Sequence, residues 1–471
     1  MRLTKEGAKA YEHSLDHAVE LFSKAGSMFT TKGSFYEGEE SALSLFQKSW
    51  VVDEALTMKL LLWLRDCRGG SGNRSGSREC YHWLGNHAPE WLEANIGWIP
   101  LVGRWDDLRS LFETDAEKCA VELWTEALKS KDVLAAKWAD RSDSPIRHLL
   151  GMKIGSFRRF LAELRKEHIV EHKMCTSRWN EVNYENVPSL AMARYTKAFG
   201  AHDEERFENY KESLKKGEVK VHAGVLFPHD CIRTSKYGDK DIADAQFDAL
   251  PNYMEGTNEK VMVICDTSGS MDQTVAGSIR AVDISQGLAL YCSARMPKDG
   301  PFYKKFIGFC SESELKDWEG MTFSEAISSR RIFDGAVGTT KIHTALELIL
   351  RVAKTFKLTE DQMPTTLIIV SDMQFHPDPG TNPYQNYGVD GDGSEVEECL
   401  KHYEEAGYRK PKVVYWNTSG YAGSPATVKS PNTALVSGFA TGILTALLSG
   451  TDFTPRAVML RALEKYDITI P

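Results

Sequence analysis

The hydrophobic periodicity of this chain changes near Lys260, and that change limits what it can fold into. Up to about residue 212, apolar side chains recur at helical spacing, as with Leu45, Val52, Leu56, Leu60 and Trp63 in the stretch 41–63. The stretches 117–138, 156–170 and 189–199 repeat the pattern, and polar or glycine-rich breaks at 69–77, 100–105 and 139–145 separate them. No useful β alternation interrupts this half, so stacked helical pairs are expected. Beyond Lys260, short apolar runs end in polar loops and alternate with amphipathic stretches. The runs are 261–265, 302–309, 367–370, 413–416 and 434–437; the helical stretches are 275–294, 341–356, 395–406 and 440–448. Such alternation predicts a parallel sheet covered by helices on both faces, with ligands at the carboxyl ends of the strands. A chain of 471 residues, 42% of them hydrophobic, exceeds one ordinary core. The expected organisation is a helical domain over 1–212, a connecting segment over 213–258 that includes a short strand at 219–226, and an α/β domain over 259–471. The residues 465–471 are read as a last strand that docks back.

The formal charge of -9 is spread over both halves: residues 1–250 hold 36 Lys/Arg against 39 Asp/Glu. Bulk charge therefore does not drive nucleic-acid binding, which leaves local patches. The nine cysteines are widely spaced and form no CxxC pair, which argues against a disulfide scaffold and a zinc ribbon. Together with an N-terminus lacking an apolar signal core and the absence of a long apolar run, this favours an intracellular, cytoplasmic protein with no membrane partner, the nucleus and a viral host's cytoplasm remaining open.

The most informative run is Val261–Met271. An apolar strand delivers Asp266 to its end, and Ser268 and Ser270 follow on a tight turn that Gly269 allows. Compact oxygen ligands on a rigid turn suit Mg²⁺, with Mn²⁺ and Ca²⁺ as alternatives. Asp266-Thr267-Ser268-Gly269-Ser270 resembles the DxSxS signature of von Willebrand factor A (vWA) domains. That resemblance implies a Rossmann-like α/β fold with a metal-ion-dependent adhesion site (MIDAS). In that family the aspartate acts mostly through water and the two serines bind directly. Thr340, in Gly338-Thr339-Thr340, and Asp372, after Leu367–Ser371, are the matching threonine and second aspartate. The resemblance further implies that a carboxylate from a protein partner completes the metal shell. Thr267 and Thr344 are read as turn or helix hydroxyls, Cys265 as core, and Asp390–Glu395 as a loop and helix cap.

In the helical half, Arg65–Arg74 and Val102–Leu108 set arginines beside glycines at helix ends, where a phosphate backbone could approach. The window 141–200, with 11 Lys/Arg against 6 Asp/Glu, is the most basic in the chain. The RNA-binding candidates are Arg68, Arg74, Arg104, Arg147, Lys153, Arg158, Arg159, Arg165, Lys173 and Arg178. A helical half followed by a vWA domain resembles the Ro60/TROVE proteins, which join a ring of HEAT-like helices to a vWA domain and bind small noncoding and misfolded RNAs. A closer resemblance, across nearly the whole chain, is to the DUF2828 proteins. It is carried by Arg65–Gly70, Gly103–Leu108, Trp179–Met192 and Leu435–Phe439.

No Walker A, GxSxG, HExxH or kinase motif is present, so an enzyme is not expected. His222, His229 and Cys231 match no standard zinc spacing. The leading expectation is an RNA-binding protein, for structured or single-stranded small noncoding RNA, whose vWA domain captures an acidic protein partner through Mg²⁺. The alternatives are a scaffold without RNA and, more remotely, a metal-dependent nuclease.

Overall fold

The computed structural model describes residues 14–28, 41–142, 144–276, 279–309, 312–333, 341–375, 395–420, 424–428, 430–449 and 452–471, together with the backbone of 2–3 and 9–10. An all-α region precedes an α/β region. The stretch 41–63 divides into helices Ala42–Val52 and Glu54–Arg65. The break falls at Asp53, whose extended backbone ends the first helix while its carboxylate accepts the Leu56 N–H and caps the second. Helices Arg74–His87, Glu117–Lys129, Val133–Trp138, Ile154–Arg165, Ser189–His202 and Glu204–Lys215 follow. The segment read as a connector holds two further helices, Pro228–Tyr237 and Lys240–Asp248, and Val219–Leu226 forms no strand.

Six strands form the sheet: β1 (Val261–Asp266), β2 (Lys305–Phe309), β3 (Ser313–Asp317), β4 (Thr366–Ser371), β5 (Lys412–Asn417) and β6 (Thr433–Ser437). Their spatial order is β6-β5-β4-β1-β2-β3. All neighbours run parallel except β3, which turns back antiparallel on β2. Periodicity missed β3 because its Ser-Glu-Leu-Lys-Asp sequence is mostly polar and, at the sheet edge, has one buried residue of five. Every residue of β1, β4 and β6 is buried, as a sheet covered on both faces requires. The helix expected from 275 starts at Ala281, because 274–276 and 279–280 form a small antiparallel ribbon.

One apolar core runs through both regions. Phe22 packs on Trp63 with ring centroids 4.3 Å apart, and Leu60–Leu64 belong to the same buried cluster as Val436, Phe439 and Met459. A second cluster, around Tyr184, Phe199, Phe207 and Ile242, lies in the later helices. Helix His17–Lys24 lies against β5 and β6. Just beyond it the Ser27 hydroxyl donates to the Asn417 carbonyl (2.6 Å) and accepts the Gly438 N–H (3.0 Å). The first described helix is thus built into the sheet.

Parts of both arginine–glycine motifs serve as framework. Arg65 forms a buried ion pair with Asp107 (2.7 Å), and Arg78 bonds both Asp107 and Asp106 (2.7 Å each). The Arg104 N–H also reaches Asp107 (2.8 Å), and a Cβ on Gly103 would lie 2.4 Å from that carboxylate. Asp66 accepts the N–H groups of Arg68 (2.8 Å) and Gly69 (3.1 Å) on one oxygen, and Lys465 and the Tyr466 hydroxyl (2.8 Å each) on the other. Burial pushes the Asp66 carboxyl up, but Lys465 and the two N–H groups outweigh it and hold it below the usual range. Gly438 has φ +94°, and a Cβ there would sit 2.6 Å from Ser71 Cβ. The two motif regions, 65–74 and 435–439, therefore pack on each other. The C-terminal residues dock on the helices without forming a strand: Thr469 exchanges two hydrogen bonds with Asn95 (2.7 and 2.8 Å).

Asp107 pairs with buried Arg65 and half-buried Arg78, and Asp107→Ala would leave Arg65 buried and unpaired. The expected loss is about 3–5 kcal/mol of stability, measured by urea denaturation.

Candidate divalent-cation site

The strand order counts outward in both directions from β1 and β4, so the sheet reverses between them. At such a reversal the two following connections leave on opposite faces and open a crevice at the carboxyl ends. Asp266 ends β1, and Ser371 ends β4 with Asp372 next. Register pairs Cys265 with Val370, which sets Asp266 level with Ser371.

The Asp266 carboxylate accepts the Ser268 N–H (2.9 Å) on one oxygen and the Ser371 hydroxyl (2.6 Å) on the other. The Ser268 and Ser270 hydroxyls are 3.1 Å apart. Asp372 accepts the Gln374 N–H (3.2 Å) and, at 3.5 Å, the Gln273 amide, and it carries the charge that acts on Asp266. Asp266 and Asp372 are both fully buried, Ser268 is 5% exposed, and Ser270 is at the surface. Burial, and then the neighbouring Asp372, pushes the Asp266 carboxyl up to about 7 against the pull of its Ser371 and Ser268 bonds. Two buried acids beside paired hydroxyls are a donor set for a hard cation, which takes oxygen ligands. Among the described residues no three His, Cys, Asp or Glu come together, so a cation here would rely on the hydroxyls, and His222, His229 and Cys231 build no zinc site. His229 instead packs between Phe227 and Phe439, and Cys231 is buried. Thr340 and residues 390–394 of the expected loop lie outside the described residues, and Glu395 begins a helix.

Other expectations resolve locally. The Thr267 N–H and hydroxyl both donate to the Phe309 carbonyl (3.1 and 3.2 Å). The Thr344 hydroxyl donates to the Lys341 carbonyl (2.8 Å) in the first helical turn. Cys265 faces away, accepting from Ser285 (3.2 Å), and burial pushes its thiol up to about 12. Asn417 accepts the N–H groups of Ser419 and Gly420 (3.0 Å each) and so shapes the neighbouring loop. Sequence reasoning missed Ser371, the direct anchor of Asp266, and Gln273. The signal for Ser371 was its position at the end of the apolar run, next to Asp372.

The ten basic candidates divide. Arg165 is a correction: it is 5% exposed, and its guanidinium caps the helix Val133–Trp138 by donating to the Ala136 and Ala139 carbonyls. Arg104 lies over the Trp138 ring (4.9 Å), and Arg68 donates to the Leu101 carbonyl (2.9 Å). Arg147 donates to the Met152 carbonyl (2.6 Å) and Lys173 to the Glu181 carbonyl (2.9 Å). Arg178 pairs with Glu181 (3.0 Å). Arg74, Lys153, Arg158 and Arg159 are exposed, and Arg158 donates to the Arg141 carbonyl (2.9 Å).

Removing one of the two buried charges should stabilise metal-free protein. In chelator at pH 8, Asp266→Asn is expected to raise the melting temperature by roughly 2–4 °C. With its carboxyl pushed up to about 7, Asp266 is protonated and uncharged at pH 5, so the gain should vanish there. Thermal denaturation at the two pH values checks both.

Comparison with known proteins adds the following. A model named domain of unknown function (DUF7788) matches residues 260–466. A protein of Acanthamoeba polyphaga mimivirus, "Uncharacterized protein L728", is 25% identical over 534 residues, covering 99% of this chain and 88% of its own. The crystal structure of Deinococcus radiodurans RO (RSR) protein aligns with a TM-score of 0.49 and 13% identity, over 96% of this chain and 99% of that one. A model of a second domain of unknown function (DUF2828) matches residues 4–112 and 124–264 and stops there, so the resemblance drawn from sequence over nearly the whole chain narrows to the helical region and β1. With more than half of its length under that model, the chain belongs to the DUF2828 family.

Proposed function

We propose that the α/β region is a vWA-type docking domain that binds a carboxylate of a protein partner through a divalent cation. The observation that carries this reading is the pairing of Asp266 and Asp372, both fully buried, beside the Ser268 and Ser270 hydroxyls at the sheet's reversal. Two adjacent buried acids raise each other's cost of ionisation, and a cation offsets that cost. Asp266, Ser268, Ser270 and Asp372 would hold Mg²⁺, with Mn²⁺ or Ca²⁺ as alternatives, and Thr340 is proposed as the fifth ligand. The cation would supply a Lewis-acidic seat for an incoming Asp or Glu side chain. The protein's own contribution is rigidity, since Ser371 and the Ser268 N–H fix Asp266 from two sides.

Mg²⁺ should raise the stability of the chain by about 2.7 kcal/mol at a hundredfold excess over its dissociation constant. The double variant Ser268→Ala/Ser270→Ala should lose that increment while melting normally in chelator. Acidic peptides should be retained on immobilised protein in Mg²⁺, and their amide counterparts should not. Retention unchanged by chelator removes the reading.

A second reading, RNA binding by the helical region, is favoured by the exposed group Lys153, Arg158 and Arg159. Among the described residues Lys153 and Arg159 make no ion pair, which leaves their charge available to phosphate. The resemblance to Ro60/TROVE proteins noted in the sequence suggests small noncoding RNA as the ligand, and unpaired bases as its accessible part. Replacing the three residues by alanine should flatten the dependence of log affinity on log salt by about 2, each phosphate contact contributing roughly 0.7 for single strands. Gel-shift titration at several salt concentrations measures it, and an unchanged slope ends this second reading.

A further inference from the structure

The segment Trp179–Met192, which sequence analysis singled out, is absorbed by neither reading. It forms one wall of an open cavity of about 470 Å³ beside the second apolar cluster, far in sequence from the sheet. Its floor is aromatic: Tyr184 and Tyr210 are 5% and 8% exposed, with ring centroids 5.6 Å apart. Around them stand Asn180, Asn209, Ser213 and Glu185.

The cavity's single arginine is already committed. Arg206 bonds the Asp203 carboxylate (2.7 Å) and donates to the Trp179 (3.1 Å) and Val182 (2.7 Å) carbonyls, while its guanidinium stands 5.5 Å from the Tyr184 ring centroid. It clamps the wall in place and brings no net positive charge, because Asp203 neutralises it. Glu181 is likewise matched by Arg178 (3.0 Å). Glu185 makes no ion pair among the described residues, and its charge acts on Tyr210. The side chains of Asn180, Asn209 and Ser213 make no hydrogen bond among the described residues, so their oxygens stand ready to accept.

An unmatched carboxylate, a tyrosine floor and amide oxygens at the rim disfavour phosphate and attract a cation that carries several N–H groups. We propose that this cavity is a docking pocket for an arginine side chain of a protein partner. The guanidinium would lie on the tyrosine face, as Arg206 already does on Tyr184, with Glu185 and the Asn180 and Asn209 amides accepting its N–H groups. The volume exceeds that of one side chain, so the flanking peptide backbone enters with it. This pocket stands independently of the cation site.

The test uses the full chain and a fluorescent acetylated, amidated peptide, Gly-Arg-Gly-Arg-Gly, followed by anisotropy. The arginine peptide should bind in chelator as well as in Mg²⁺, and the citrulline version should bind at least about threefold more weakly. Glu185→Gln and Asn209→Ala change exposed side chains and should each weaken the arginine peptide by about threefold without moving the melting temperature. Asp266→Ala should leave binding unchanged, which separates this pocket from the cation site. Equal affinity for the two peptides, no binding at millimolar protein, indifference to Glu185→Gln, or tighter binding of adenosine than of the arginine peptide would each overturn the proposal.

Discussion

The close approach of three distant segments underlies the rest of the architecture. Gly438, just past the end of β6, lies against Ser71, and a Cβ on Gly442 would come within 3.0 Å of Gly69 Cα. A Cβ on Gly26 would fall 2.5 Å from the Ser437 hydroxyl. Side chains at these positions would hold the backbones apart, so glycine sets the spacing of the helical region from the sheet. Asp66 secures the same junction from the other side by binding its own loop and the C-terminal Lys465 and Tyr466. Phe227 completes the circuit: a Cβ on Gly72 would be 3.7 Å from its ring. The helical path that leaves the sheet near residue 72 therefore returns to it at residue 227.

The candidate cation site depends on this fixed frame. Its acids come from the ends of β1 and β4, its hydroxyls from the turn that follows β1, and its flanking loop from the end of β5. Parallel pairing holds these ends level, since Ser371 pairs with Asn417 and Asn417 with Ser437. The β6 end is in turn tied to residues 22–27 through the Ser437 hydroxyl, which donates to the Phe22 carbonyl (2.7 Å). The first described helix thus restrains the carboxyl end of the edge strand β6, which is level through β5 with the strand ends that supply the site.

Much of the α/β region was legible because buried parallel strands leave unbroken apolar runs. Five of the six strands were readable in this way, and the polar edge strand β3 was not. The helical region was legible as helix but not in its breaks. Asp53 splits a periodic stretch by capping, which apolar spacing does not register. Asp266, Ser268 and Asp372 are brought to one end of the sheet in the order that the sequence suggested, whereas the role of Ser371, legible only as the end of an apolar run, emerged when strand register aligned it with Asp266. The arginine–glycine motifs were ambiguous for a physical reason: buried ion pairs and exposed phosphate contacts draw on the same residue types. Only coordinates distinguish Arg65, locked on Asp107, from Arg159, free in solvent. The division at residue 212 likewise came from periodicity, which carries no information about which helices share a core.

The hydrogen bonds that join Gly26 and Ser27 to Ser437 and Gly438 span 411 residues. During synthesis at roughly 5–20 residues per second, helix His17–Lys24 therefore waits about 20–80 s for the strand it packs on. Seven of its eight residues are buried in the finished protein; helices Ala42–Val52 and Glu54–Arg65 emerge next and cover one side of it, so the side that packs on β5 and β6 is the part left waiting. A chain truncated before β6 would keep the helix–helix contacts of that helix and lose those to the sheet.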